Sequence, residues 1–214
     1  MTNKYYKYPR TPHLPWSQGV SSDDISLLSL DHWQDREVVV TEKLDGENTT
    51  MYSDHIHARS LDSKHHQSRD WVKGLHGQIR HLIPQGWRLC GENMYAQHSI
   101  AYEDLRSYFY VFSIWDEANY CLNWDETLEW TELLDLVTPP ILYRGVWSEK
   151  EIQALSFDPQ LCEGYVVRSV AGFAYEDFAL NVAKSVRAQH VQTDVHWMYS
   201  EVIPNRLSEK DQNH

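Results

Sequence analysis

Val38-Val39-Val40-Thr41-Glu42-Lys43-Leu44-Asp45-Gly46-Glu47-Asn48-Thr49-Thr50-Met51-Tyr52 is the stretch on which the fold turns. Its β-branched opening, Val38–Thr41, predicts a short strand, Asp45-Gly46 predicts a turn, and Thr49–Tyr52 predicts the partner strand across that turn. Between the two runs lies the densest polar cluster of the chain, Glu42 to Asn48. A strand that ends in a tight glycine turn can present the Lys43 amine at the rim of a cleft, with Asp45 and Asn48 beside it. On composition alone the same residues also describe the charged tip of a hairpin.

Outward from this unit, strands outnumber helices. Trp71, Val72, Leu75, Ile79 and Leu82 recur at helical spacing and predict an amphipathic helix over Asp70 to Ile83, stopped by Pro84. Trp87–Gly91 predicts a strand, and Tyr108–Trp115, continuously aromatic and β-branched, predicts one buried on both faces. Asp125 to Val137 reads as a helix capped by Asp125 and closed by Pro139-Pro140. Gly164–Arg168 and Ala179–Ala183 supply further strands. Helices interrupt the strands irregularly and not in βαβ alternation, so the expected class is α+β with mainly antiparallel sheet.

The 214 residues carry Lys+Arg 19 against Asp+Glu 31, a formal net charge of −12, with 42% apolar and 13% aromatic residues, nine Gly and eight Pro. Collagen-like, low-complexity and wholly disordered chains are excluded. One globular domain over residues 1–207 is expected, with a polar, frayed tail over 208–214. No apolar stretch approaches the roughly 18–20 residues that cross a bilayer, and the first ten residues hold no apolar signal core, so a cytoplasmic protein without membrane contact is expected. Cys90, Cys121 and Cys162 are spaced too widely for a zinc knuckle and read as small buried hydrophobes.

Bulk charge argues against coating nucleic acid. The charge is nevertheless uneven: Asp116 to Asp135 holds seven carboxylates and no Lys or Arg, whereas Arg59 to Arg88 holds six cations against Asp62 and Asp70. The basic stretch, with His65-His66 and Arg69, offers contacts to RNA phosphate; two solvated faces of opposite sign are the plainer account. Lys4, Lys7 and Arg10, interleaved with Tyr5, Tyr6 and Tyr8, offer charge and stacking for single-stranded RNA, or form an arm packed on the domain. His55-x-His57 on a strand would face one way, as a metal pair or as an exposed pair.

Lys43-x-Asp45-Gly46-x-Asn48 resembles the nucleotidyl-acceptor motif of the covalent nucleotidyltransferases, which comprise ATP-dependent RNA and DNA ligases and mRNA capping enzymes. Further elements follow in order: Ala58-Arg59-Ser60, Cys90-Gly91-Glu92-Asn93, Tyr110-Val111-Phe112-Ser113-Ile114, Glu163-Gly164-Tyr165-Val166-Val167-Arg168 and Lys184-Ser185-Val186-Arg187. Asn48 stands where capping enzymes and most DNA ligases place Arg, so the similarity is greatest to RNA ligases of the T4 second type, in a short form lacking an appended domain. Ser113 replaces the usual Asp of the aromatic motif, and Arg187 follows Lys184 by three positions where the family has a Lys two positions on.

The resemblance implies a nucleotidyltransferase domain, ATP-grasp-like, whose antiparallel sheets flank an ATP cleft. It implies that Lys43 attacks the ATP α-phosphate, that AMP passes to an RNA 5′-phosphate, and that a 3′-hydroxyl displaces it to seal RNA ends, with DNA ends as a further possible substrate. Lys43, Asp45, Glu163 and Lys184 would be catalytic. Lys184 and Arg187 would meet phosphate, Glu92 a ribose hydroxyl, Arg59 the phosphates or the RNA 5′ end, and Asn48 the ribose or the RNA 3′ end. Phe112 would stack on adenine, with Tyr110 as the alternative on the same strand face, and Glu42 would help fix the base. An adenylylating or capping-type enzyme that does not seal, and a silent RNA-binding module, are the rival readings.

The chemistry sets its own demand. A lysine of ordinary pKa near 10.4 is nucleophilic in only about one molecule in 2,500 at pH 7, so its full activation is worth roughly 4.6 kcal/mol. Neighbouring Asp45 and Glu163 would favour the ammonium, so positive charge has to come from elsewhere. Lys184, Arg187 and a divalent cation held by Asp45 and Glu163 would supply it, and oxygen ligands shared with phosphate suit Mg2+ or Mn2+.

Overall fold

The computed structural model describes residues 4–188 and 201–209; His190 and Trp197 lie outside them. In chain order its elements are β1 (Glu37–Lys43), β2 (Glu47–Tyr52), β3 (Ile56–Ala58), α1 (Asp70–Ile79), β4 (Arg88–Asn93), β5 (Phe109–Trp115), β6 (Tyr120–Cys121), α2 (Trp124–Leu133), β7 (Ile141–Val146), α3 (Glu149–Gln153), β8 (Gly164–Ser169), β9 (Phe173–Ala174) and β10 (Val182–Val186). They form two antiparallel sheets, one of four strands ordered β10-β8-β1-β7 and one of six ordered β3-β2-β4-β5-β6-β9. The class is therefore α+β.

The expected hairpin is not formed. β1 pairs with β7 and β8, whereas β2 pairs with β3 and β4, so Leu44–Gly46 carries the chain from one sheet to the other. Gly46 permits the crossing, because a Cβ there would lie 2.5 Å from the Asn93 carbonyl oxygen and 2.8 Å from Met94 Sδ. The β-branched run explains why β1 is central: Val38 and Val40 pack on Leu14, Trp33 and Ile152, while Val39 packs on Trp124 and Val170. All three valines are fully buried, each worth about 1.5–3 kcal/mol.

A second core lies between the six-stranded sheet and the helices, where Met51, Leu89, Phe109, Val111 and Ile114 meet Val72 and Ile79 of α1. α1 ends at Ile79 and the chain tightens into a 3-10 turn over Arg80–Leu82 before Pro84. α2 begins one residue earlier than the apolar pattern implies, and Asn123, not Asp125, caps it. The Asn123 side chain accepts from the Glu126 N–H at 2.8 Å, and Glu126 accepts from the Asn123 N–H at 3.1 Å. Ala179 and Leu180 close a 3-10 segment, Tyr175–Leu180, so the last strand starts only at Val182.

In the C-terminal segment Ser208, the first residue of the expected tail, donates its N–H to the Leu105 carbonyl at 2.8 Å, and residues 210–214 of that tail lie outside the described residues. Asn205, almost fully buried, fixes this segment: its amide donates to the carbonyls of Met94 (2.7 Å) and Ala96 (3.3 Å), and its oxygen accepts from the Tyr102 N–H (2.9 Å). The three cysteines are free and buried. Among the described residues no helix is long and apolar enough to cross a membrane.

Candidate active site

A cleft of about 560 Å³ opens where the sheets face each other. The four-stranded sheet contributes Thr41, Glu42 and Lys43 of β1, Val166 and Arg168 of β8, and Lys184 of β10; the six-stranded sheet contributes Glu47 and Asn48 of β2, Glu92 of β4 and Phe112 of β5. The antiparallel register explains the convergence. Lys43 ends β1 opposite Gly164, and Asn48 lies opposite Glu92.

Lys43 Nζ forms an ion pair with Glu163 Oε2. Glu163 is itself clamped by backbone, its N–H donating to the Lys43 carbonyl at 2.9 Å and its carbonyl accepting from the Arg187 N–H at 3.0 Å. Gly164 makes that approach possible: its φ is +154°, and a Cβ would fall 2.0 Å from the Ser185 carbonyl oxygen. Burial disfavours the Lys43 ammonium, but Glu163, Glu92 and Asp45 outweigh it and hold the pKa well above that of an ordinary lysine. At rest Lys43 is charged, as the sequence chemistry anticipates.

Asp45 is buried beside this pair. Its Oδ2 accepts from Ser99 N–H (2.7 Å), Ser99 Oγ (2.6 Å) and Ile100 N–H (2.9 Å), and its own N–H donates to Tyr102 Oη at 3.0 Å. Burial and the Glu163 carboxylate raise its pKa. Glu92 Oε1 accepts from the Gly46 N–H at 3.2 Å. Burial, reinforced by Glu163 and Asp45 and opposed by Lys43, pushes Glu92 up to about 8. Among the described residues no group of three or more His, Cys, Asp or Glu forms a metal cage.

Lys184 Nζ lies 3.7 Å from Asp24 Oδ1, and burial with the nearby Lys43 charge lowers its pKa despite Asp24. Arg59 reaches the cleft from the end of β3. Asn48 Oδ1 is buried and has no hydrogen-bond partner among the described residues. Glu42 lines the cleft with its backbone N–H already given to the Pro140 carbonyl (2.9 Å), and burial, then Asp158, raises its pKa. Arg187 does not join the cleft lining; its backbone serves Glu163 and its Nε is buried without a partner among the described residues.

Phe112 and Tyr110 are separated by packing. The β4–β5 register passes from Cys90↔Ser113 to Gly91↔Val111, leaving Phe112 as a bulge that enters the cleft against Tyr8, 5.1 Å between ring centroids. Tyr110 packs with Leu44 and Met94, and its hydroxyl accepts from the Arg106 N–H at 3.0 Å. Ser113 accepts from Trp115 Nε1 at 3.1 Å and belongs to the interior.

Several expected nucleic-acid contacts are engaged internally. Arg69 pairs bidentately with Glu47, its Nε at 2.7 Å from Oε2. Arg88 is buried under Tyr6, Trp115 and Tyr175 and donates to Asn119 Oδ1 at 2.6 Å. His57 is buried while His55 stacks on Tyr5, so they are not an exposed pair; their ring centroids lie 5.6 Å apart. Conversely, Arg168 was given no role by the sequence, although its alternation with Val166 on β8 puts both on one face. Its Nη1 donates to the Phe112 carbonyl, and its guanidinium lies 5.9 Å from the Phe112 centroid and 5.2 Å from that of Trp124. Asp24 and His98 also line the cleft; they come from loops without a motif.

The RNA ligase family profile matches residues 36–186, the span that builds both sheets and the cleft. The chain belongs to the RNA ligase family. Among solved structures this family member is similar to a Naegleria gruberi RNA ligase with PPi, at 21% identity and TM-score 0.53, covering 73% of this chain and 51% of that one. A lysine-to-alanine mutant of that ligase with ATP and Mn matches at 18% identity and TM-score 0.53, covering 86% of this chain and 61% of that one. The chain thus spans roughly half the length of these neighbours, and at such identity the likeness concerns the fold. No curated protein matches the sequence.

Proposed function

We propose that the chain is an ATP-dependent RNA ligase with one nucleotidyltransferase domain, in which the cleft between the sheets binds ATP. The observation that carries this reading is the convergence of Lys43, Glu92 and Lys184, from three strands of two sheets, and of Glu163, the residue before β8, around one amine. Naegleria RNA ligase structures with ATP and Mn support the same choice of nucleotide and metal.

The Lys43 ammonium gives up one proton to solvent and its Nζ attacks the α-phosphorus; an N–P bond forms as the bond to the bridging oxygen breaks, a second proton passes from the nitrogen to solvent, and pyrophosphate leaves. The lysyl-bound AMP then passes to an RNA 5′-phosphate, and a 3′-hydroxyl attacks that phosphate and expels AMP. Each step is a displacement at phosphorus governed by position and charge. Lys184 neutralises phosphate charge, Phe112 stacks on adenine, Glu92 meets a ribose hydroxyl, Arg59 meets the phosphates, and Asn48, whose oxygen is unpartnered, binds ribose or the 3′ end. Glu42 acts at the base from the cleft wall, and Arg187 acts from behind by holding Glu163.

The mutually repelling, buried Asp45 and Glu163 fit a hard divalent ion as two oxygen donors, too few for a cage and suited to one completed by phosphate and water. Mg2+ or Mn2+ there would supply the positive charge that favours the neutral Lys43 amine.

Incubation with ATP labelled on the α-phosphate, with Mg2+ or Mn2+, tests the reading. Covalent label that is acid-labile and alkali-stable, absent in Lys43→Ala, is the expected result. Absence of label on folded protein not already adenylylated refutes it. Preference for GTP would indicate a capping-type enzyme, and label that reaches 5′-phosphorylated RNA without joined product would indicate an adenylylating one.

A further inference from the structure

The cleft has an extension that the motifs do not describe. A groove of about 510 Å³ runs from it between the N-terminal arm and the turn after β3, and Tyr8, Pro9, Arg10 and Arg59 line both spaces. Lys7, Ser60 and Tyr175 line only the groove, and among the described residues no carboxylate lines it. In a chain of formal charge −12 this is a local reversal of sign.

The three cations are poorly neutralised. Lys7 and Arg59 have no ion pair within 4.0 Å among the described residues, and Arg10 meets Asp23 only at 3.6 Å, with the two side chains 53% and 76% exposed. A pair so exposed is worth little. Partial desolvation and then the nearby Arg10 charge lower the pKa of Arg59, with Asp24 opposing them. The arm itself is fixed: Tyr175 Oη donates to the Lys7 carbonyl at 2.6 Å, and the Tyr6 N–H donates to Tyr52 Oη at 2.8 Å.

The arm's tyrosines are committed to the domain. Tyr5 packs on Tyr52 and His55, Tyr6 on Tyr175, and Tyr8 on Phe112 and Phe178. Of these three only Tyr8 lines the groove, so most of what the groove offers a ligand is charge.

We propose that this groove holds the RNA strand bearing the 5′-phosphate by its backbone, with Arg10 and Arg59 at the terminal phosphate and Lys7 at the next one. The assignment follows from the shared walls: Arg10 and Arg59 face both spaces, whereas Lys7 faces the groove alone. Recognition is of phosphate and not of base, so it is independent of sequence and dependent on salt. The proposal rests on the ligase reading for its choice of nucleic acid.

The test is fluorescence anisotropy of a short, 5′-phosphorylated single-stranded RNA, labelled at its 3′ end, over a salt series. For single strands each phosphate contact contributes about 0.7 to the slope of log K against log salt. Lys7→Ala, an exposed position, should flatten the slope by about 0.7. Removal of the 5′-phosphate from the RNA should flatten the unsubstituted protein's slope as well. Lys150→Ala, at an exposed position of α3, should leave it unchanged. A Lys7→Ala slope equal to that of the unsubstituted protein, or an equal loss in Lys150→Ala, overturns the groove. Lysyl-AMP formation by the unsubstituted protein reads the ligase assignment separately. Label with coincident slopes refutes the groove alone, and flattened slopes without label refute the ligase while keeping an RNA-binding groove.

Discussion

Glu92 gives the site a measurable dependence on pH. Its carboxyl titrates near 8 in the folded chain against an ordinary 4.5, because burial and the carboxylates of Glu163 and Asp45 penalise its charge more than Lys43 relieves it. A folded pKa above the unfolded one means that the folded chain keeps a proton the unfolded chain releases. Stability from this group is therefore complete at low pH and is lost as pH rises through the folded value. The slope is at most about 1.4 kcal/mol per pH unit, so from about pH 6 to about pH 8 the carboxyl removes about 2 kcal/mol. Glu92→Gln keeps the shape and has no proton to lose. Urea unfolding of both proteins in chelator, at intervals across that range, should show the stability difference, unsubstituted minus variant, falling by about 2 kcal/mol. A difference flat to within about 0.5 kcal/mol would refute the placement of Glu92 among buried like charges.

Phe112→Ala should raise the ATP concentration needed for half-maximal lysyl-AMP formation while leaving urea stability largely intact, since Phe112 is only partly buried; an unchanged requirement would exclude it as the stacking ring. Gly164→Ala, placing a Cβ 2.0 Å from a backbone oxygen at positive φ, should cost at least about 2–3 kcal/mol in urea unfolding; a smaller loss would mean that the β8–β10 approach relaxes easily. Asn205→Ala leaves the Tyr102 N–H and the Met94 carbonyl unpaired and should cost about 2–4 kcal/mol, read in the same way, with an accelerated hydrogen exchange at Tyr102.

The sequence is most legible where periodicity and burial coincide. β1, β5 and α1 are visible because their apolar residues recur on buried faces. The pairing of β1 is not legible, because Asp45-Gly46 has the composition of a hairpin turn and only the crowding around Gly46 shows that it crosses between sheets. β7 escapes notice since its burial pattern has no fully buried residue, and it follows two prolines. Lys43, Glu92 and Glu163 can be picked out because each stands in a motif of its own. Arg168 and Asp24 cannot: the first looks like the polar end of a strand, and the second belongs to a loop that only the folded chain brings to Lys184. Arg69 and Arg88 show the converse, cations that seem available in sequence and are spent inside the fold.

The crossing at Leu44–Gly46 sets how the molecule can flex. Three residues span at most about 10 Å, so the sheets are tethered beside Lys43. A second crossing of the same length, residues 170–172 from β8 to β9, ties the sheets again. The two walls of the cleft are thus stitched at two points, and sliding of one past the other is resisted at both.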